Sequence, residues 1–162
     1  MKFTMGVPTK ATVANAVYGI VYDRIKANVT SVTLADATTS TIQTYTGAFP
    51  DQEIDTKSKY PICIINSPEL SWEDFSLTRK QVNGTFTIEI YTTKAESADL
   101  FIDAIIASIE GFRGTLKNTD KMDFVNLEST DTDNIMRSST MKIHMRSAQF
   151  SFKFRFSKVA GT

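Results

Sequence analysis

The chain has one histidine, His144, and one cysteine, Cys63, and these are its strongest candidates for chemistry. Nucleophilic catalysis needs a base that activates a nucleophile and a third group that orients the base. His144 has no partner at a recognisable spacing, and no G-x-S-x-G elbow occurs. Cys63 lies in the apolar run Pro61-Ile62-Cys63-Ile64-Ile65, where a thiol packs as a small hydrophobe. Structural zinc needs four clustered Cys, His or carboxylate ligands, and one histidine with one cysteine does not supply them. Glu128 and Asp131-Thr132-Asp133-Asn134 hint at calcium, but the central glycine and distal glutamate of an EF-hand loop are missing. Gly111-Phe112-Arg113-Gly114 is too short for a phosphate loop and follows a helical pattern instead of a strand. The residues therefore point to no enzyme, no cofactor and no metal.

Nucleic-acid binding is the other chemistry to weigh. Phe150, Phe152, Phe154 and Phe156 alternate with Ser151, Lys153, Arg155 and Ser157. Single-strand binding sheets place aromatic and basic groups on one face, but alternation along a strand sends these to opposite faces. The charge balance agrees: 18 basic and 18 acidic side chains give a formal net charge of zero. Phosphate binders carry a basic excess because neutralising phosphates supplies most of their affinity. Met1–Lys10 lacks the apolar core of a signal peptide, and no stretch is apolar enough to span a bilayer. A single cysteine fits a reducing site of folding.

The 162 residues suffice for one domain with a real core. Val13, Val17, Ile20, Val21 and Ile25 recur at helical spacing, which predicts a first helix over 10–27, capped by Thr9 or Thr12. Residues 28–59 are rich in Thr and Ser and predict a partly ordered arm, either a loop or a β-arm leaving the body. Tyr60–Asn66 reads as a buried strand. Asn83-Gly84 predicts a two-residue turn between strands 72–82 and 85–93. That register sets Val82 against Thr85, Arg79 against Ile88, Leu77 against Ile90 and Phe75 against Thr92. One face then carries Phe75, Leu77, Phe86, Ile88 and Ile90, and the face with Thr78, Lys80, Thr87 and Glu89 is solvated.

Thr93-Lys94-Ala95-Glu96 predicts a capping box, and the helix it opens stops at Gly111. Leu100, Phe101, Ala104, Ile105 and Ile109 form one stripe of that helix, and Ile102 and Ile106 form a second. This is enough apolar surface for a sheet and a further neighbour, either the first helix or another subunit. Met122–Leu127 predicts a strand and Glu128–Asn134 an acidic loop or hairpin tip. Met141, Ile143 and Met145 occupy odd positions and the phenylalanines even ones, so the phase change near Ser147-Ala148-Gln149 predicts a bulge, bend or turn. The expected fold is α+β: a mainly antiparallel or mixed sheet with two helices on one face and a long arm in the N-terminal half.

This order of elements resembles the tail terminator (tail completion) proteins of long-tailed bacteriophages. The likeness rests on the strand opening at Tyr60-Pro61, the strand ending in Tyr91-Thr92-Thr93, the helix from Ala98 to Ile106, and the closing strand pair. It spans roughly residues 13–29 and 60–156 and has no invariant signature. The resemblance implies a virion protein, assembled in the host cytoplasm, that closes into a ring, commonly a hexamer, on the head-proximal end of the tail tube. Its implied partners are further copies of itself, the tail tube protein and a head connector, with DNA passing through the lumen unread and no membrane contact. The alternatives are another head–tail adaptor of the neck, or a nucleic-acid-binding sheet module. Expected docking elements are the arm and the 128–138 segment, with Thr38, Thr39, Tyr45, Phe49, Trp72, Ile102, Ile106, Asp131 and Asp133 as candidate contact residues. Trp72 fits either a core lid or an interface anchor.

Overall fold

The computed structural model describes residues 10–48, 57–74, 79–138 and 141–157. Helix α1 (Lys10–Asn28) is followed by three short strands, β1 (Ser31–Thr33), β2 (Thr39–Thr41) and β3 (Thr44–Thr46). Strands β4 (Ile62–Ile65), β5 (Glu69–Asp74) and β6 (Arg79–Thr92) come next. Helices α2 (Ala95–Gly111) and α3 (Arg113–Asn118) precede a long pair, β7 (Met122–Ser138) and β8 (Met141–Ser157). The main sheet runs β3-β4-β6-β8-β7, with β5 also paired to β6. All its pairings are antiparallel except β3 with β4. The α+β class expected from the sequence is the class observed.

The core forms where the helices cover one sheet face. Val13, Val17, Val21 and Ile25 of α1 and Phe101, Ile102, Ile105 and Ile109 of α2 join one cluster with Cys63, Ile65, Phe86, Ile88, Ile90, Phe150 and Phe152. The Phe86 and Phe150 rings stack at 5.2 Å between centroids. Because α1 and α2 share this cluster, the second stripe of α2 is already covered within the chain. Ile102 is 7% exposed and so presents little contact surface, whereas Ile106 packs against the same core but is only half-buried. The arm also corrects: its described part, up to Ala48, does not leave the body. β1 and β2 pair as a small hairpin, and β3 joins the edge of the main sheet. Phe49 lies outside the described residues.

Asn83-Gly84 is not a turn. Both residues sit inside the continuous 14-residue strand β6, where Asn83 pairs with Ser71 on one side and Lys153 on the other. The hairpin exists, but its connection falls between Asp74 and Arg79, so the expected register is replaced; Phe75, Leu77 and Thr78 lie outside the described residues. Gly84 serves close approach. A Cβ there would come 2.6 Å from Phe152 Cζ, 2.7 Å from the Glu69 carbonyl oxygen and 2.9 Å from Leu70 Cδ2. The dipeptide carries a local turn preference, but tight packing against both flanking strands selects glycine here.

β8 corrects the second expectation. Its register with β6 holds from Thr92↔His144 to Arg79↔Ser157 without a shift, so no bulge marks the phase change. The odd positions Met141 and Ile143 are buried with Tyr60, Ile62, Ile64 and Tyr91, in a cluster separate from the helix-packed core. The even positions from Ala148 to Phe154 are buried in that core. The strand stays regular, and the face that is covered changes along it. The supposedly solvated face of β6 is therefore partly core, with Tyr91 at 9% exposure. The irregularities lie in β7, which shifts against β8 between Asp123 and Asn126, between Leu127 and Ser129, and between Met136 and Ser138.

The start of α2 differs from expectation as well. Its N-cap is Lys94, with no side-chain cap. Glu96 instead accepts a 2.6 Å hydrogen bond from the Ala35 N–H in the β1–β2 turn, so the carboxylate ties down the arm. At the other end α2 stops at Gly111, as expected, and only Phe112 separates it from α3.

Candidate functional site

No group of three or more His, Cys, Asp or Glu among the described residues could hold a metal ion. Cys63 is fully buried, and burial pushes its thiol up to about 12, far from a reactive thiolate. His144 Nδ1 lies 2.7 Å from Asn134 Oδ1 across the β7–β8 ladder. Partial burial, then Lys142 and Arg146 on the same strand face, hold the imidazole below its ordinary value, while Asp99 pulls the other way. Arg146 itself donates to Asp99 of α2. The first contact joins β8 to β7 and the second joins β8 to α2. No helix among the described residues is long and apolar enough to cross a membrane.

The predicted contact residues scatter. Thr38 is exposed and closes a local turn on Asp36, whose carboxylate it holds below the usual range, helped by Lys94. Thr39 is exposed in β2. The hairpin carrying both is fastened to the start of α2 by a 2.8 Å Ser40–Ser97 hydroxyl contact and a 3.7 Å Lys94–Asp36 ion pair. Tyr45 is structural: its hydroxyl donates to the Val29 carbonyl at 2.7 Å, and burial pushes its pKa to about 12. Trp72 is half-buried and packs against the main core, which favours the lid over the anchor. Asp131 and Asp133 are exposed, but in the middle of strand β7 and not in a loop.

β7 is the site that sequence reading under-described. Every residue from Glu128 to Asn134 is exposed, although each strand partner lies in the regular strand β8. Edge strands with exposed backbone are templates for a further chain, and charges and bulges restrain that pairing. β7 has both restraints. Near its start, Met122 and Val125 are both buried, three positions apart, which a regular two-residue repeat cannot achieve. Positive φ at Lys121 (62°) and Phe124 (53°) accompanies this spacing. Phe124 is turned outward to 61% exposure, with Lys153 Nζ 5.4 Å from its ring centroid. Beside it an open groove of 470 Å³ crosses the sheet past Glu69, Asn83, Thr85, Ser151 and Lys153. Alternation would have put Phe124 on the same face as the buried Met122, so the sequence carried no signal for this feature.

No family model matches the chain, and no curated protein matches it. Among solved structures it is similar to a chain from the virion of a native gene transfer agent (GTA) particle. That likeness has a TM-score of 0.50 at 15% identity and covers 92% of this chain and 99% of the other. The two chains share an α+β fold over nearly their whole lengths.

Proposed function

We propose that this protein is a structural component of a phage-like virion that works through its surfaces and not by catalysis. The observation that carries the reading is the fold shared, end to end, with a chain of a gene transfer agent virion. Within that class, the reading is a tail terminator: a ring of copies, commonly six, that caps the head-proximal end of the tail tube, stops its growth and receives the head connector. The order of elements from Tyr60-Pro61 to the closing strand pair supports it. So does the exposed edge strand β7, whose polar side chains are left for contact with a neighbour. A ring needs two different patches per subunit that close by rotation. The balanced charge suits a conduit through which DNA moves without being held.

Removal of the gene tests the terminator role against a general neck role. A terminator's loss gives tails of uncontrolled length and unjoined heads. Normal-length tails without heads would assign the protein to an adaptor of the neck instead. A salt-sensitive gel shift at low micromolar protein would favour the nucleic-acid module.

A further inference from the structure

The β1–β2 hairpin stands apart from the rest of the fold. It is a two-stranded sheet of its own, with three ladder pairs. Its tip is held by its own bonds: the Leu34 N–H donates to the Thr38 carbonyl and the Ala37 N–H to the Leu34 carbonyl, both at 2.9 Å. At its base the Ile42 N–H donates to the Thr30 carbonyl at 2.8 Å, and Val29 and Ile42 on either side belong to the main core. Between base and tip the hold on the body is thin. Eight of the eleven residues from Ser31 to Thr41 are exposed, and Leu34 is the one buried side chain among them. The other fastenings are polar and meet at one place, the start of α2. There Glu96 accepts from the Ala35 N–H, Ser40 meets Ser97, and Asp36 pairs with Lys94. A cavity of 150 Å³ lies between the hairpin and the body, with Leu34 and Ser40 on one side and Tyr60, Pro61 and Lys94 on the other. The two surfaces are therefore not close-packed.

We infer that this hairpin is a strap, pinned by Glu96, that swings off the Tyr60–Pro61 corner while the main sheet stays folded. Segments open locally when few apolar contacts and mainly solvent-accessible polar bonds hold them. The Lys94–Asp36 pair is exposed on both sides and contributes little. The bond from the Ala35 N–H to the Glu96 carboxylate is charge-assisted, and such bonds are roughly twice as strong as neutral ones. Glu96 is thus the contact that decides between closed and open. Tyr60 belongs to the second apolar cluster with Ile62, Ile64 and Tyr91, so the open strap bares a margin of that cluster that the closed strap covers. The inference does not rest on the virion reading.

Hydrogen exchange of the full-length protein, followed residue by residue by NMR, tests it. Once detached, a lone two-stranded hairpin is marginal in water, so its own amides exchange in the same event. The amide of Leu34 is the reporter, because it bonds within the hairpin and not to Glu96. In the unaltered protein it should exchange about a hundredfold or more faster than the amides of Ile88 and Ile90 in β6, and low denaturant should leave its rate unchanged. E96A should speed Leu34 and Ala35 together by about tenfold or more, with Ile88 and Ile90 unaltered. E96Q, which keeps the shape and a neutral acceptor, should have a smaller effect in the same direction. Acceleration of Ala35 alone would make Glu96 the cap of a single amide and overturn the proposal. So would a Leu34 amide as slow as Ile88 and Ile90, or variants that speed all of them equally, since the hairpin would then open only with the whole domain.

Discussion

β7 and β8 are paired strands of 17 residues each, and they do opposite work. β8 is interior: it bonds to β6 on one side and β7 on the other, and it buries Met141 and Ile143 on one face and Phe150 and Phe152 on the other. β7 is an edge, irregular where it meets the core and polar beyond it. A central strand is specified by burial, so its side chains are fixed by volume and its register has no slack. An edge strand is specified by its partner's backbone, so its own side chains are left for contact with other molecules.

The sharpest way to break this contrast is to cut volume from both strands. Phe150→Ala in β8 removes a ring stacked on Phe86 and should cost about 3–5 kcal/mol in denaturant unfolding. Thr132→Ala in β7 should stay within about 0.5 kcal/mol, because the residue is exposed. Equal losses would show that β7 is packed. A second cut separates the two faces of β8. Ile143→Ala should cost about 2–5 kcal/mol, the ordinary range for a buried isoleucine, if the cluster around Tyr91 is a true core. A loss below about 1 kcal/mol would return that face to solvent.

Gly84→Ala probes the packing of β6. The added Cβ meets a backbone carbonyl that cannot swing away, so about 1–3 kcal/mol should be lost. A neutral or stabilising result would contradict the close approach. The smallest effects concern the start of α2. Thr93→Ala should change stability by less than about 0.5 kcal/mol, whereas removing a working cap costs about 1 kcal/mol.

Much of the interior was legible in the sequence, because burial leaves a period. Val13, Val17, Val21 and Ile25 announce α1, the run from Ile62 to Ile65 announces β4, and the even phenylalanines announce one face of β8. Three features were hidden for separate physical reasons. Asn83-Gly84 carries a local turn preference that tertiary packing overrides. The phase change in β8 has two causes that look alike in sequence, a bulge or a change of covered face, and only the partner's register separates them. Glu128–Asn134 is polar throughout, and no periodicity distinguishes an exposed edge strand from a loop. The candidate contact residues fared unevenly for the same reason: Ile102 and Tyr45 were chosen by type, but the fold buries Ile102 in the helix-packed core and turns the Tyr45 hydroxyl to the Val29 carbonyl. Phe124 escaped notice because its strained backbone breaks the alternation that reading relies on.

The measurement that bears most directly on the protein's role is electron microscopy of assembled particles, with this polypeptide located by an added density tag. The virion reading predicts several copies closed in a ring at the head-proximal end of the tail. Infectious particles of normal length that contain no copy of the chain would contradict it.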